Sequence, residues 1–391
     1  MSALSYLEKL LNGVDIQWKT IGEVTLRTSN IKWREATRSY RYVDLTSVDI
    51  ETKKIIETTE VTANNAPSRA QKLIEENDVI FATTRPTQQR FCLIDGEYSD
   101  EVASTGFCVL RAKQDEVLPK WIWHWISTSY FKKYVEENQS GSAYPAISDA
   151  KVKECYIPVP CPENPGKSLA IQSEIVRILD KFTALTAELT AELNMRKKQY
   201  NYYRDQLLSF DEGEVEWRTL GEITRKIASG RNKTRQAEGD FPVYGSTGLL
   251  GFTNEPAYSG DLLLVARVGA YAGLVNAVSG HFDVSDNTLI IHPSDSWNAR
   301  FAFHQLTHMN LNQYAVGAGQ PLITGGMLKN LKVPVPSLNE QTRIAKILDK
   351  FETITVSITE GLPREIELRQ KQYEYYRDLL FSLPKPEIAS Y

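Results

Sequence analysis

The chain is written twice. Residues 177–182 read RILDKF and residues 346–351 read KILDKF; residues 198–205 read KQYNYYRD and residues 371–378 read KQYEYYRD. Upstream, IPVP at 157–160 answers VPVP at 333–336, and WKTIGEV at 18–24 answers WRTLGEI at 217–223. GSAYPAIS at 141–148 resembles GAGQPLIT at 317–324. So many matches in one order mark an internal duplication, which must be recognised before any fold is assigned. Each copy reads as a variable domain, a Pro-x-Pro hinge and a long helical segment. SYLEKLLNGVDIQW at 5–18 resembles YYRDQLLSFDEGEVEW at 202–217, so the N-terminus reads as the tail of a helical segment and the repeat is nearly circular. The expected division is a helical segment over 1–16, domains over 17–156 and 214–332, and helical spacers over 157–213 and 333–391.

Apolar residues at spacings of three and four mark one helical face. In the first spacer they include Ile178, Phe182, Leu185, Leu189 and Leu193; in the second, Ile347, Phe351, Ile354 and Ile358. Two such long helices predict an antiparallel coiled coil within the molecule. LTAELTAEL at 185–193 has a period of four, a stutter against the heptad. Phe182 to Gln199 spans 17 positions and Phe351 to Gln372 spans 21, so the first helix is one tetrapeptide shorter. Gly361 and Pro363 should kink or break the second.

In the variable domains, 78–84, 90–94 and 106–112 read as strands, matched by 261–267, 273–278 and 287–293. Trp121–Tyr134 and Phe301–Met309 read as matching helices. The fold class expected is α/β (α+β), with two globular domains, two long helices and pseudo-twofold internal symmetry.

The composition is that of a soluble globular protein, 42% hydrophobic and 24% charged. No apolar run is long enough for a membrane span, and no signal peptide is read. The four cysteines form no CxxC pair, and reduced thiols of a cytoplasmic protein are expected. GKS at 166–168 lacks the partner glycine of a P-loop, since Cys161 stands there. HQLTH at 304–308 lacks the glutamate of a zinc-protease helix, so no metal site is assigned. No nucleophile elbow or cofactor loop is present.

A net charge of −4 leaves room for a local basic face. KWREATRSYRY at 32–42 holds Lys32, Arg34, Arg38 and Arg41 among aromatic residues. RKIASGRNKTRQ at 225–236 holds Arg225, Arg231, Lys233 and Arg235, with Asn232 and Gln236. TTRPTQQR at 83–90 adds Arg85, Gln88, Gln89 and Arg90; ARVGAY at 266–271 adds Arg267. Lysine and arginine neutralise phosphates, arginine reads guanine, and asparagine or glutamine reads adenine. These residues are the expected DNA contacts. A non-catalytic protein scaffold with two paired binding domains is the alternative.

The hinge, IQSEIVRILDKF, LTAELTAEL, KQYNYYRDQLLSF and KQYEYYRDLLFS resemble the conserved regions of type I restriction–modification specificity subunits, most closely the IC-like subfamily. The resemblance implies a non-catalytic subunit whose two target recognition domains each bind half of a bipartite, asymmetric site on double-stranded DNA. Its helices would set the half-site spacing and dock two methyltransferase subunits, with two restriction subunits completing the complex. It implies no cofactor in this chain, with S-adenosylmethionine, ATP and magnesium used by the partners.

Overall fold

The computed structural model describes residues 9–211, 213–357 and 359–384. Residues 1–8 of the expected N-terminal segment, and Ile358 of the expected helix seam, lie outside the described residues. The chain divides into two compact units: residues 1–189 with 366–391, and residues 190–365.

In the first unit, β1 (Ile16–Thr20) pairs antiparallel with β10 (Tyr156–Pro160), joining the beginning of the recognition domain to its end. Between them lie two four-stranded sheets. One has the order β2 (Thr25–Leu26), β9 (Phe107–Ala112), β6 (Val79–Ala82), β7 (Phe91–Leu93). The other has the order β4 (Thr59–Val61), β3 (Tyr40–Val43), β8 (Glu101–Ser104), β5 (Ala70–Ile74), with β3 and β8 parallel. Three helices follow: α1 (Pro119–Ile126), α2 (Ser129–Asn138) and α3 (Asp149–Glu154).

The layering follows from the period of two in a strand. All four residues of β6, VIFA, are buried. Val79 and Phe81 join the core beneath α1 and α2, and Ile80 and Ala82 join the core shared with the other sheet. The expected helix 121–134 is two helices. Pro119 opens the first, and the Thr128 side chain caps the second by accepting from Phe131 N.

The second unit repeats this plan strand for strand. β11 (Glu216–Thr219) pairs with β20 (Lys332–Val335). One sheet is β12 (Thr224–Ser229), β19 (Thr288–Pro293), β16 (Leu262–Ala266), β17 (Val275–Val278). The other is β14 (Gly248–Thr253), β13 (Phe241–Gly245), β18 (His281–Val284), β15 (Tyr258–Ser259). On β16, Leu263 and Val265 enter one core and Leu262 and Leu264 the other. Short helices α5 (Leu220–Ile223) and α7 (Gly325–Lys329) flank α6 (Ala299–His308).

The six strands read from the sequence are β6, β7, β9, β16, β17 and β19. The Pro-x-Pro hinge is a correction: both copies are strands. Proline is tolerated there because each ribbon has only two strands, leaving one edge of each free. Pro158 and Pro334 also accept hydrogen bonds from Trp121 Nε1 (2.9 Å) and Gln305 Nε2 (2.7 Å), which lock each domain's own helix onto its ribbon.

The first spacer is one helix of 44 residues, α4 (Pro165–Leu208). It contributes residues up to Leu189 to the first unit and from Thr190 to the second. The second spacer is broken: α8 (Leu338–Thr355) ends and α9 (Gly361–Leu380) begins after a short gap. Gly361 has φ +81°, and a Cβ there would lie 2.3 Å from Thr353 O, so the break requires glycine.

The helix seam partly corrects the expected face. Phe182 stacks on Tyr376 at 5.3 Å, and Phe351 on Tyr203 at 5.7 Å, the same pair of repeat positions in each unit. Ile178, Leu189, Leu193 and Ile347 are half-buried. Leu185 and Ile354, however, are each 37% exposed. A step of four residues turns a helix about 40° past a full turn, so a period-four leucine row winds off the seam. The deeper stripe is Ile171, Ile175 and Leu179, packed into the core of the first recognition domain. Ile344 and Leu348 do the same in the second.

Candidate nucleic-acid interface

A buried polar seam fixes each recognition domain to a spacer helix. Gln172 is fully buried; its Oε1 accepts from Leu118 N at 2.9 Å and its Nε2 donates to Glu116 O at 2.9 Å. Gln341, also fully buried, does the same with Asn298 N (2.7 Å) and Ser296 O (3.0 Å). Both glutamines thus satisfy backbone groups at the start of the domain helix, where a helix leaves them orphaned. About two turns along the spacer helix, His124 Nε2 lies 3.0 Å from Asp180 Oδ1, and His304 Nε2 lies 2.6 Å from Asp349 Oδ1.

Burial lowers the pKa of both histidines, and the hydrogen-bonded cations and imidazoles lower those of Asp180 and Asp349 against the opposing effect of burial. Each pair is therefore a neutral imidazole whose Nε2–H donates to a carboxylate. That tautomer leaves His124 Nδ1 to accept from the Tyr373 hydroxyl at 3.0 Å. Lys120 and Arg300 supply the countercharge, at 2.5 Å from Asp180 Oδ2 and 2.7 Å from Asp349 Oδ1. His304, Asp349 and Glu352 lie close enough to hold a cation, but Arg300 also bonds Glu352 at 2.6 Å and neutralises that group. His308 faces Asp205 instead of pairing with His304. The signal for this seam stands in the duplication: both aspartates lie inside the repeated ILDKF, and both glutamines seven residues before its leucine.

The basic segments are presented unevenly in the two units. In the second unit, β12 runs through the basic segment, so its two ends are separated. Arg225 sits at the start of the strand and pairs with Asp295. Arg231, Lys233 and Arg235 lie beyond its end, exposed, without a carboxylate partner among the described residues. Lys233 and Arg235, together with Asn232, Ser246 and Asn287, border an open cleft of about 370 Å³. Asn232 Nδ2 is held by Asp283 at 2.6 Å, while Gln236 is exposed. Arg267 does not line this cleft: its backbone N donates to Asn287 O at 2.9 Å, and its Nε is buried without a partner.

In the first unit, β3 occupies the end of the basic segment, and alternation turns Tyr42 inward while Arg41 faces outward. Arg41 bonds Glu97 at 2.8 Å; Arg38 stacks on Tyr40 at 3.9 Å and pairs with Glu101 at 3.3 Å. Lys32 lies 3.4 Å from Glu35, and Arg34 is exposed. Arg90 donates to the backbone carbonyls of Leu45 and Val48, so its guanidinium has a structural task. Arg85 and Gln88 are exposed; both side-chain atoms of Gln89 are buried without partners. GSAYPAIS at 141–148 is legible in the sequence as a repeat but not as part of this surface. Arg85 N donates to Pro145 O at 2.7 Å, and Tyr144, 72% exposed, stands beside it.

Two sheet-rich domains with one strand plan, each clasped to spacer helices, define a class of duplicated protein. The family described as "Type I restriction modification DNA specificity domain" matches residues 15–196 and 212–368. The chain is 40% identical to the Escherichia coli type I restriction enzyme EcoR124I/EcoR124II specificity subunit, over 100% of both chains. It is 39% identical to the E. coli EcoprrI specificity subunit, covering 92% of this chain and 93% of that one. In fold it is similar to the type I restriction–modification S subunit from M. genitalium, with TM-score 0.61 and 17% identity over 96% and 98% of the two chains.

The chain belongs to the type I restriction–modification specificity subunits, which recognise DNA and carry no catalytic activity. No helix among the described residues is long and apolar enough to cross a membrane.

Proposed function

We propose that each unit reads one half of a bipartite, asymmetric site on double-stranded DNA, and that the duplicated helices space the halves and dock two modification subunits. One observation carries the reading. The duplication keeps the seam residue for residue, with Gln172 and Gln341, His124 and His304, and Asp180 and Asp349 in equal roles, while the outer surfaces differ. A repeated seam with divergent surfaces suits two identical partners and two different half-sites. Tyr202 and Tyr375, equivalent in the repeat and 62% and 61% exposed, give each copy the same aromatic contact for such a partner. Restriction subunits complete the complex, and S-adenosylmethionine, ATP and magnesium act in the partners, in the cytoplasm.

The test is the triple variant Arg231→Ala, Lys233→Ala, Arg235→Ala in complex with the modification subunits. Three lost phosphate contacts make log K against log salt shallower by about 3, at slopes of about 0.9 per contact. Assembly is expected to stay intact. Cognate binding with parental affinity and salt slope would remove this loop from the interface. The scaffold alternative predicts no salt-dependent DNA binding by the parent complex.

A further inference from the structure

Both recognition domains carry the same turn after their central strand, but they build it from different residues. In the second, Gly269 and Gly273 hold φ +84° and +92°; Gly269 N donates to Pro321 O at 2.9 Å and Ala272 N to Gly269 O at 2.9 Å. In the first, Arg85 and Gln89 hold φ +48° and +52°; Arg85 N donates to Pro145 O at 2.7 Å and Gln88 N to Arg85 O at 3.0 Å. These two hydrogen bonds match, so Arg85 stands where its sister domain has a glycine. The left-handed region disfavours arginine, which has a Cβ and no side-chain bond to its own backbone there. Such an outlier points to something the side chain does.

The side chain is placed for use. Its guanidinium lies over the Tyr144 ring, 5.2 Å from the centroid. The loop carrying Tyr144 is pinned at both ends, by bridges of Ala146 to Ser140 and to Thr84. Unlike Arg38, Arg41 and Arg90, the Arg85 guanidinium has no carboxylate or carbonyl partner among the described residues. The stacked ring limits the orientations of the fork while leaving its five donors free. An exposed guanidinium, unpaired among the described residues and set over a ring, suits the O6 and N7 acceptors of guanine, which it can engage with two parallel bonds.

We propose that Arg85 is a base-reading arginine of the first recognition domain, directed at a guanine, and that Tyr144 is its positioning residue. This rests on the reading of the first domain as a half-site reader. The complex with the modification subunits is assayed on duplexes carrying every single base-pair change in either half-site, for binding and for single-turnover adenine methylation. Arg85→Gly, which restores the sister residue, is expected to fold with an undiminished melting temperature. It loses about tenfold or more of the discrimination at one G·C position of one half-site, with discrimination in the other half unchanged. Arg85→Lys keeps the charge without the fork and loses the same discrimination with a smaller loss of affinity. Tyr144→Ala weakens discrimination at that same position, and Tyr144→Phe restores it. Unaltered discrimination in both Arg85 variants, or an equal loss across all duplexes, would overturn the proposal: the latter makes Arg85 a phosphate contact. If the parent complex shows no sequence preference, the half-site reading itself fails.

Discussion

His124 and His304 are buried bases, 0% and 1% exposed, held neutral against a helix of the spacer. An unfolded histidine takes up a proton near pH 6.5. The folded state resists that proton, because burial lowers both pKa values. Below about pH 6.5 the unfolded chain therefore binds protons that the folded one does not, and stability falls until the depressed folded pKa is reached. The lowered pKa values of Asp180 and Asp349 add a further loss in the acid range below the histidine window. Denaturation midpoints between pH 7.5 and pH 5.5 are expected to fall for the parent and to fall less for the double variant His124→Gln, His304→Gln. Equal slopes would mean that these histidines do not carry the acid sensitivity. At this scale the sequence showed the aspartates within its clearest repeat but not their partners. His124 and Asp180 are 56 residues apart, and a hydrogen bond over that separation leaves no local pattern.

Elements were legible where burial imposes a period. VIFA on β6 and LLLVA on β16 are apolar throughout because each face meets a core. Strands of the other two sheets, such as AQKLI on β5 and HFDV on β18, carry polar residues on less buried positions and were not read. The spacer helices were legible as helices, but not the direction of each apolar row. Leu179 lies in the domain core at 0% exposure, while Leu185, six residues on, is 37% exposed. Leu179→Ala should cost about 2–5 kcal/mol, since it opens a cavity in a closed core. Leu185→Ala should change stability by no more than about 0.5 kcal/mol. Chemical denaturation of both variants checks this, and equal costs would restore Leu185 to a packed seam.

For the whole molecule, the boundary between the compact units falls within LTAELTAEL, after Leu189. Insertion of TAEL after Leu193 adds about 6 Å of helix and turns the rest of the helix by about 400°, close to one full turn. On the proposed reading, the unspecified gap between half-sites should lengthen by one or two base pairs, at about 3.4 Å each. Both half-sites should keep their bases. Mapping methylated adenines across a genome decides it; an unchanged gap would end the view that these helices set the spacing.

The duplication, the helical spacers, the central strands and the family were all determined by the sequence alone, because each leaves a repeat or a short-range period in the order of residues. Tertiary structure alone decided which cations are free. Arg38, Arg41 and Arg90 look equal to Arg85 in the sequence. Folding brings Glu101, Glu97 and two backbone carbonyls to the first three and an open tyrosine ring to the fourth. Charge is a property of the residue, but its availability depends on neighbours that only the closed chain supplies.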